Sequence, residues 1–210
     1  MSSPFGFNPW LYIWTSPKKT IQAIIDHNPN YRLGVLSAIY GFAGLLSLAQ
    51  GGSIGFLLGF FPILIIAIIL SPLWGYIVFS IFSYFIYFTG KWFKGQATYQ
   101  QARASLAWAN FPIIVNVIIW ILLLIIYGPV LFKNFNHSIE PNTFNTIFLF
   151  TVMIIQFVAS IWSLVIFISA LAQVQKFSTW RSIFNIIVAA IILIVIMIII
   201  ALIVNAIKGS

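Results

Sequence analysis

Cysteine is absent from this chain of 210 residues. That excludes disulfide staples, thiolate nucleophiles and cysteine metal sites, and it leaves the redox compartment open. Acids are almost as scarce, since Asp26 and Glu140 are the whole complement and His27 and His137 are the only histidines. General acid–base catalysis needs a proton donor or acceptor held at the reacting group. The chain offers no paired carboxylates, no phosphate-binding glycine loop and no metalloprotease motif. No enzyme activity and no cofactor are expected. His137 and Glu140 are close in sequence, but two ligands make a poor metal site, so no metal is expected either.

Charge of any kind is thin. Only 6% of residues are charged, against roughly 25% in ordinary soluble domains, while 62% are hydrophobic and the mean hydropathy is +1.09. A water-soluble fold of this size could not cover its surface. The net charge of +8 is spread between apolar runs, with no dense basic segment to track a phosphate backbone, so nucleic acid is not an expected partner. Residues 1–32 also lack the basic start, short apolar stretch and small-residue cleavage site of a signal peptide. Nothing is expected to be removed, and the first hydrophobic helix would serve as an uncleaved signal-anchor.

What is present is helix-length apolar sequence. A crossing of the roughly 30 Å hydrocarbon core takes about 20 apolar residues in a helix, and a sheet could cross only as a closed barrel of alternating polarity. Continuous Ile, Leu and Phe runs therefore predict an all-α, polytopic transmembrane bundle. Spans are expected at Leu33 to Leu48, Phe111 to Phe132, Ile147 to Ala172 and Ile183 to Asn205. A further stretch, Ile54 to Thr89, contains Pro62 and Pro72 and would reach about 54 Å as one helix. It crosses once with a lead-in, or twice, giving five spans or six.

The basic residues arbitrate, because Lys and Arg accumulate in short cytoplasmic loops. With one crossing, Lys18, Lys19, Arg32, Lys91, Lys94, Arg103, Lys176 and Arg181 share the side of the N-terminus, leaving Lys133 and Lys208 opposite. With two crossings the ten divide evenly and carry no orientation signal. Five spans are therefore expected, with the N-terminus cytoplasmic and the C-terminus external. Residues 1–32 form a cytoplasmic segment and residues 33–210 the transmembrane domain.

Two polar segments are expected to lie as amphipathic helices at the membrane surface. Ser16 caps the first, Pro17 opens it, and Ile21, Ile24 and Ile25 oppose Lys18, Lys19, Gln22 and Asp26, with Trp10, Tyr12 and Trp14 as headgroup anchors. The second opens on Thr98 and Gln101, a capping-box spacing, and sets Tyr99, Ala102 and Leu106 against Gln100 and Arg103. Each precedes a pair of spans, which suggests an internal repeat with a fifth helix appended. Small residues at Ser37, Gly41 and Gly44, and at Gly51, Gly55 and Gly59, are expected to pack helices closely, the second set serving self-association or a helix end. No ionisable group falls within a span. The polar residues there are Asn116 and Gln156, followed by Ser160 and Ser163, which join helices or line a pathway for a small neutral solute.

At Gly95, Thr98, Tyr99, Ala102, Ala107, Trp108, Ala109 and Pro112 the sequence resembles a signature of the Yip-domain family, the Ypt/Rab-interacting membrane proteins. The opening, Asn8-Pro9-Trp10 through Ile13-Trp14-Thr15, Pro17 and Ile24 to Pro29, is similar to bacterial members, and Trp162 and the turn from Ser178 to Arg181 agree with the family's last loop. The resemblance implies five spans, a cytoplasmic N-terminus and, for a bacterial-type member, the cytoplasmic (inner) membrane. Eukaryotic members contact Rab GTPases, often through a longer N-terminal region. The short segment before Leu33 argues against a Rab-type partner here. The expected partners are the bilayer itself, anionic lipid at Lys18, Lys19, Lys91, Lys94, Arg103, Lys176 and Arg181, and a second copy or another membrane protein.

Overall fold

A computed structural model describes residues 4–133 and 142–208. Among them, eight α-helices follow in order: α1 (Pro9–Tyr12), α2 (Pro17–His27), α3 (Leu33–Gly51), α4 (Phe60–Trp92), α5 (Tyr99–Ala109), α6 (Ile114–Tyr127), α7 (Thr143–Gln175) and α8 (Thr179–Lys208). Five stretches are long and apolar enough to cross a bilayer: Leu33–Gly51, Phe60–Trp92, Tyr99–Phe132, Thr143–Gln175 and Thr179–Ile207. In the third, a 3-10 turn at Phe111–Ile113 separates α5 from α6.

The ambiguous stretch, Ile54 to Thr89, opens with a short 3-10 turn at Ile54–Phe56 and from Phe60 belongs to one unbroken helix of 33 residues, so five spans stand and six do not. Pro62 lies in its first turn, where backbone N–H groups have no partner inside the helix anyway. Pro72 is internal and leaves the carbonyl of Ile68 without its usual donor. The hydroxyl of Ser71 donates to that carbonyl at 2.9 Å, which repairs the helix from the adjacent residue. Residues 52–59 and 128–133 meet at one end of the bundle, where the backbones of Gly55 and Phe132 touch. The segments after α2, α4 and α7 meet at the other.

Ser37 and Gly41 on α3 face Ser71 and Gly75 on α4. A Cβ on Gly41 would strike the carbonyl of Ser71, and one on Gly75 that of Ser37. These small residues let the two backbones touch, which is how helices attract one another where lipid is as apolar as leucine. The second glycine set behaves differently. Gly51 ends α3, Gly55 sits in a 3-10 turn and Gly59 precedes α4, so these three form no helix stripe for self-association.

The two short amphipathic helices also pack against the bundle. Ile21 and Ile24 of α2 are fully buried, and α5 buries Ala102, Arg103, Ala104, Ser105, Ala107, Trp108 and Ala109. Both short helices pack on α7, so their inner faces meet protein. Trp10 packs on Trp108 with ring centroids 4.7 Å apart and on Phe111 at 4.8 Å, and Trp14 also reaches Phe111. Together α2, α5 and the adjoining ends of α4, α7 and α8 form a cap over the bundle. The order of short helix, long helix, long helix occurs twice, in α2–α4 and α5–α7, before α8 is added.

Candidate functional site

The cap gathers the polar chemistry of the chain. α5 begins with the expected capping box: the backbone N–H of Gln101 donates to Thr98 Oγ1 at 3.3 Å, and that of Thr98 donates to Gln101 Oε1 at 2.9 Å. This fixes where the helix starts and aims Tyr99 and Arg103, one turn apart, at α4. At the start of α2, Ser16 holds the capping position without a side-chain cap bond. Its carbonyl instead accepts from Thr20 Oγ1 at 2.9 Å.

Arg103 is 6% exposed. Its Nη1 donates to Tyr76 Oη at 2.8 Å and to Ser80 Oγ at 3.4 Å, and its Nη2 donates to Asn30 Oδ1 at 2.9 Å. The rings of Tyr76 and Tyr99 flank the guanidinium, with centroids 4.9 and 5.2 Å away. Nε has no partner. Arg103 thus ties α5 to α4 and to the turn before α3, with aromatic faces where a carboxylate would usually sit. Buried this way it presents no surface to lipid, which sets it apart from the other six cations of the expected basic face. Lys18, Lys19, Lys91, Lys94, Lys176 and Arg181 are all exposed. Lys91 also lies over the Tyr87 ring at 4.9 Å.

A second polar cluster joins α4, α7 and α8. Thr89 Oγ1 donates to Asn185 Oδ1 at 2.9 Å, and Asn185 Nδ2 donates to the Ile86 carbonyl at 3.1 Å. Beside it, Gln175 accepts from the backbone N–H of Ala97 at 3.2 Å. All three side chains are at most 1% exposed. The amide of Gln175 occupies the space where a Cβ on Gly90 or Gly95 would sit. A Cβ on Gly95 would also crowd the backbone carbonyl of Gly90. The remaining signature positions are structural too: the carbonyl of Ala109 accepts from Ser163 Oγ at 2.8 Å, and Pro112 is buried in the turn opening α6. Trp108 Nε1 donates to the Tyr31 carbonyl at 3.3 Å, and its ring stacks on Tyr31.

Hydropathy did not flag Asn30, Gln175 or Asn185, because a single amide hardly alters a long apolar window. An amide inside or beside an apolar helix is the signal that could have found them.

Asp26 accepts from Gln22 at 2.7 Å, and His27 packs edge-on to Phe5. His137 and Glu140 lie outside the described residues. Among the described residues no three His, Cys, Asp or Glu come together to hold a metal. Of the span residues, Ser163 joins α7 to Ala109 and Ser160 bonds back to Gln156 within its own helix. Asn116 Oδ1 is buried without a partner.

The fold and cap define an all-helical, five-span membrane protein with a polar, helix-capped end. The family model of the Yip1 domain matches residues 11–202. The chain belongs to the Yip1 domain family. Comparison with curated proteins and with solved structures returns no match.

Proposed function

We propose that this protein is a non-enzymatic organiser of the membrane, which gathers anionic lipid or a membrane partner at its capped, basic end. Residues 1–32 are its cytoplasmic segment and residues 33–210 its transmembrane domain. The capped end faces the cytoplasm of a bacterial cell from the inner membrane. The reading is supported by one observation above others: Lys18, Lys19, Lys91, Lys94, Lys176 and Arg181 are all exposed at the capped end, where Asp26 is the only acid described. Each basic residue near an anionic surface contributes about 1 kcal/mol, weakening as salt screens the field. Arg103 takes no part in this, being committed to Tyr76, Ser80 and Asn30.

The test replaces Lys18, Lys19, Lys91 and Lys94 with Gln and measures phosphatidylglycerol and cardiolipin copurifying at low and high salt. Loss of anionic lipid at low salt is expected. Equal retention by variant and parent at both salt levels rejects recruitment and leaves the charges as topology signals. Because the chain lacks cysteine, single cysteines at Gln96, Ser178 and Ser53 report sidedness directly. Only Ser53 should label from outside the cell.

A second reading, a pathway for a small neutral solute, draws on the unpartnered buried Oδ1 of Asn116. Gln156 lies near that level on α7, because the contacts of Ala109 with Ser163 and of Tyr127 with Asn145 set an antiparallel register for α6 and α7. Solute-dependent flux into vesicles that disappears in Asn116→Leu would favour this reading over the first.

A further inference from the structure

The cap has two unlike sides. On α2 its surface carries Lys18, Lys19, Asp26 and His27, all exposed. On α4 and α8 it carries Phe82, Tyr84, Phe88, Trp92, Trp180 and Phe184, which are 47%, 55%, 45%, 58%, 71% and 56% exposed. Both sides reach the same height. The amide of Gln173 donates to Gln22 Oε1 at 2.9 Å, and Gln175, two residues on, packs against Gly90. The middle of α2 is therefore level with Phe88. The bonds from Asn185 to Ile86 and Thr89 place Phe184 and Trp180 alongside the same part of α4.

On the other side, α3 begins lower. Ser37 beside Gly75 and Gly41 beside Ser71 fix the antiparallel register of α3 and α4, which sets Leu33, the first residue of α3, level with Phe79. From there α4 continues to Trp92, roughly 20 Å higher at ~1.5 Å per residue. The apolar surface over that rise is continuous with the lipid-facing surface of α4 and α8 below it. It ends on two tryptophans with Lys91, Lys94, Lys176 and Arg181 next to them. Tryptophan backed by lysine and arginine is what a helix presents where it leaves a bilayer.

We propose that the bilayer meets this protein obliquely: lipid covers the α4–α8 side of the cap up to Trp92 and Trp180, while water reaches the α2 side at the same height. The occupant of the apolar side is bilayer lipid, because the surface continues an existing lipid contact and closes on a membrane boundary. This inference deepens the membrane-organising reading and rests on it. The lipids around the protein must either follow a boundary that steps by roughly 20 Å or leave the protein tilted. In both cases the surrounding leaflet is reshaped along the α4–α8 side.

The cysteine-free chain allows a direct test. Single variants Phe88→Cys, Phe184→Cys and Lys19→Cys, each carrying a nitroxide, are reconstituted into phosphatidylcholine–phosphatidylglycerol vesicles. Collision rates are measured with oxygen, which concentrates in hydrocarbon, and with a water-soluble nickel chelate. Labels at Phe88 and Phe184 should favour oxygen, and the label at Lys19 should favour nickel, although Lys19 and Phe88 lie at similar height. Nickel-dominated signals at Phe88 and Phe184 would overturn the proposal, as would an oxygen-dominated signal at Lys19. Low collision with both reagents, with dipolar broadening between labels, would place a second copy on that face and overturn it as well. None of these results depends on anionic lipid retention, so the oblique seat and the recruitment reading fail separately.

Discussion

α5 and the second half of α8 invert the usual relation between hydropathy and burial. α5 reads Tyr-Gln-Gln-Ala-Arg-Ala-Ser-Leu-Ala-Trp-Ala and is enclosed on nearly every side. The second half of α8, from Ile194 to Ile207, is almost wholly apolar, and its large side chains are 37% to 69% exposed. In water this would be an unstable arrangement. In a bilayer the exposed apolar helix is already in its preferred solvent, so packing falls to residues that let backbones approach or form hydrogen bonds. Alanine, glycine, serine and amides accordingly make the interior here, and isoleucine makes the outside.

If small residues build the interior, enlarging them should do the most damage. Gly41→Leu and Gly75→Leu would drive a side chain into the backbone of the facing helix, which cannot yield as a flexible side chain would. Loss of at least about 3 kcal/mol is expected, above the usual overpacking range, because α3 and α4 must separate. Monodisperse protein in size-exclusion chromatography should be lost. Near-normal behaviour of both variants would show that α3 and α4 do not cross as closely as the register implies.

Arg103→Leu ranks next. It removes three hydrogen bonds to Tyr76, Ser80 and Asn30 and leaves their polar atoms to find other partners. A loss of about 2–3 kcal/mol in thermal stability is expected, with α5 loosening from α4. Arg103→Lys should not rescue it, because an ammonium cannot span three acceptors and lie between two tyrosine rings. Full rescue by lysine would show that charge alone matters at this position.

These two regions also separate what the residues reveal from what they conceal. The spans were legible because a bilayer of fixed thickness demands long apolar runs, and the charge asymmetry chose five over six. The α5 capping box was legible because it is local, with Thr98 and Gln101 three residues apart. The Ser37 and Gly41 contact was legible as a pattern, although its partner was not. Burial of α2 and α5 was not legible, since an amphipathic face looks the same whether it meets lipid or protein. The crowding at Gly95 was hidden for another reason: Gln175, whose amide lies where a Cβ would sit, is far along the chain. Trp10 and Trp14 had the composition of headgroup anchors, but their rings pack on Trp108 and Phe111.

Asn185→Leu tests the boundary between the two regimes, because it sits on the packed half of α8. The change removes bonds to Thr89 and Ile86 but supplies an apolar side chain of similar size. Side-chain hydrogen bonds between membrane helices are worth about 0.6 kcal/mol on average and up to about 1.7, so a loss near 1 kcal/mol is expected. Protease sensitivity between α7 and α8 should rise while α3 and α4 stay protected.

The smallest effect should come from the other half of the same helix. Ile198, Ile199 and Ile203 are 53%, 50% and 54% exposed. Replacing all three with leucine keeps hydrophobicity and helix propensity while altering shape, so only a packed neighbour could detect the change. In lipid the triple variant should lie within about 0.5 kcal/mol of the parent, the range of substitutions that touch no specific feature. Its melting temperature in detergent and its chromatographic size should match the parent's. A drop comparable to that of Asn185→Leu, or a change in apparent mass, would mean that this half of α8 is packed against protein, and the contrast with α5 would disappear.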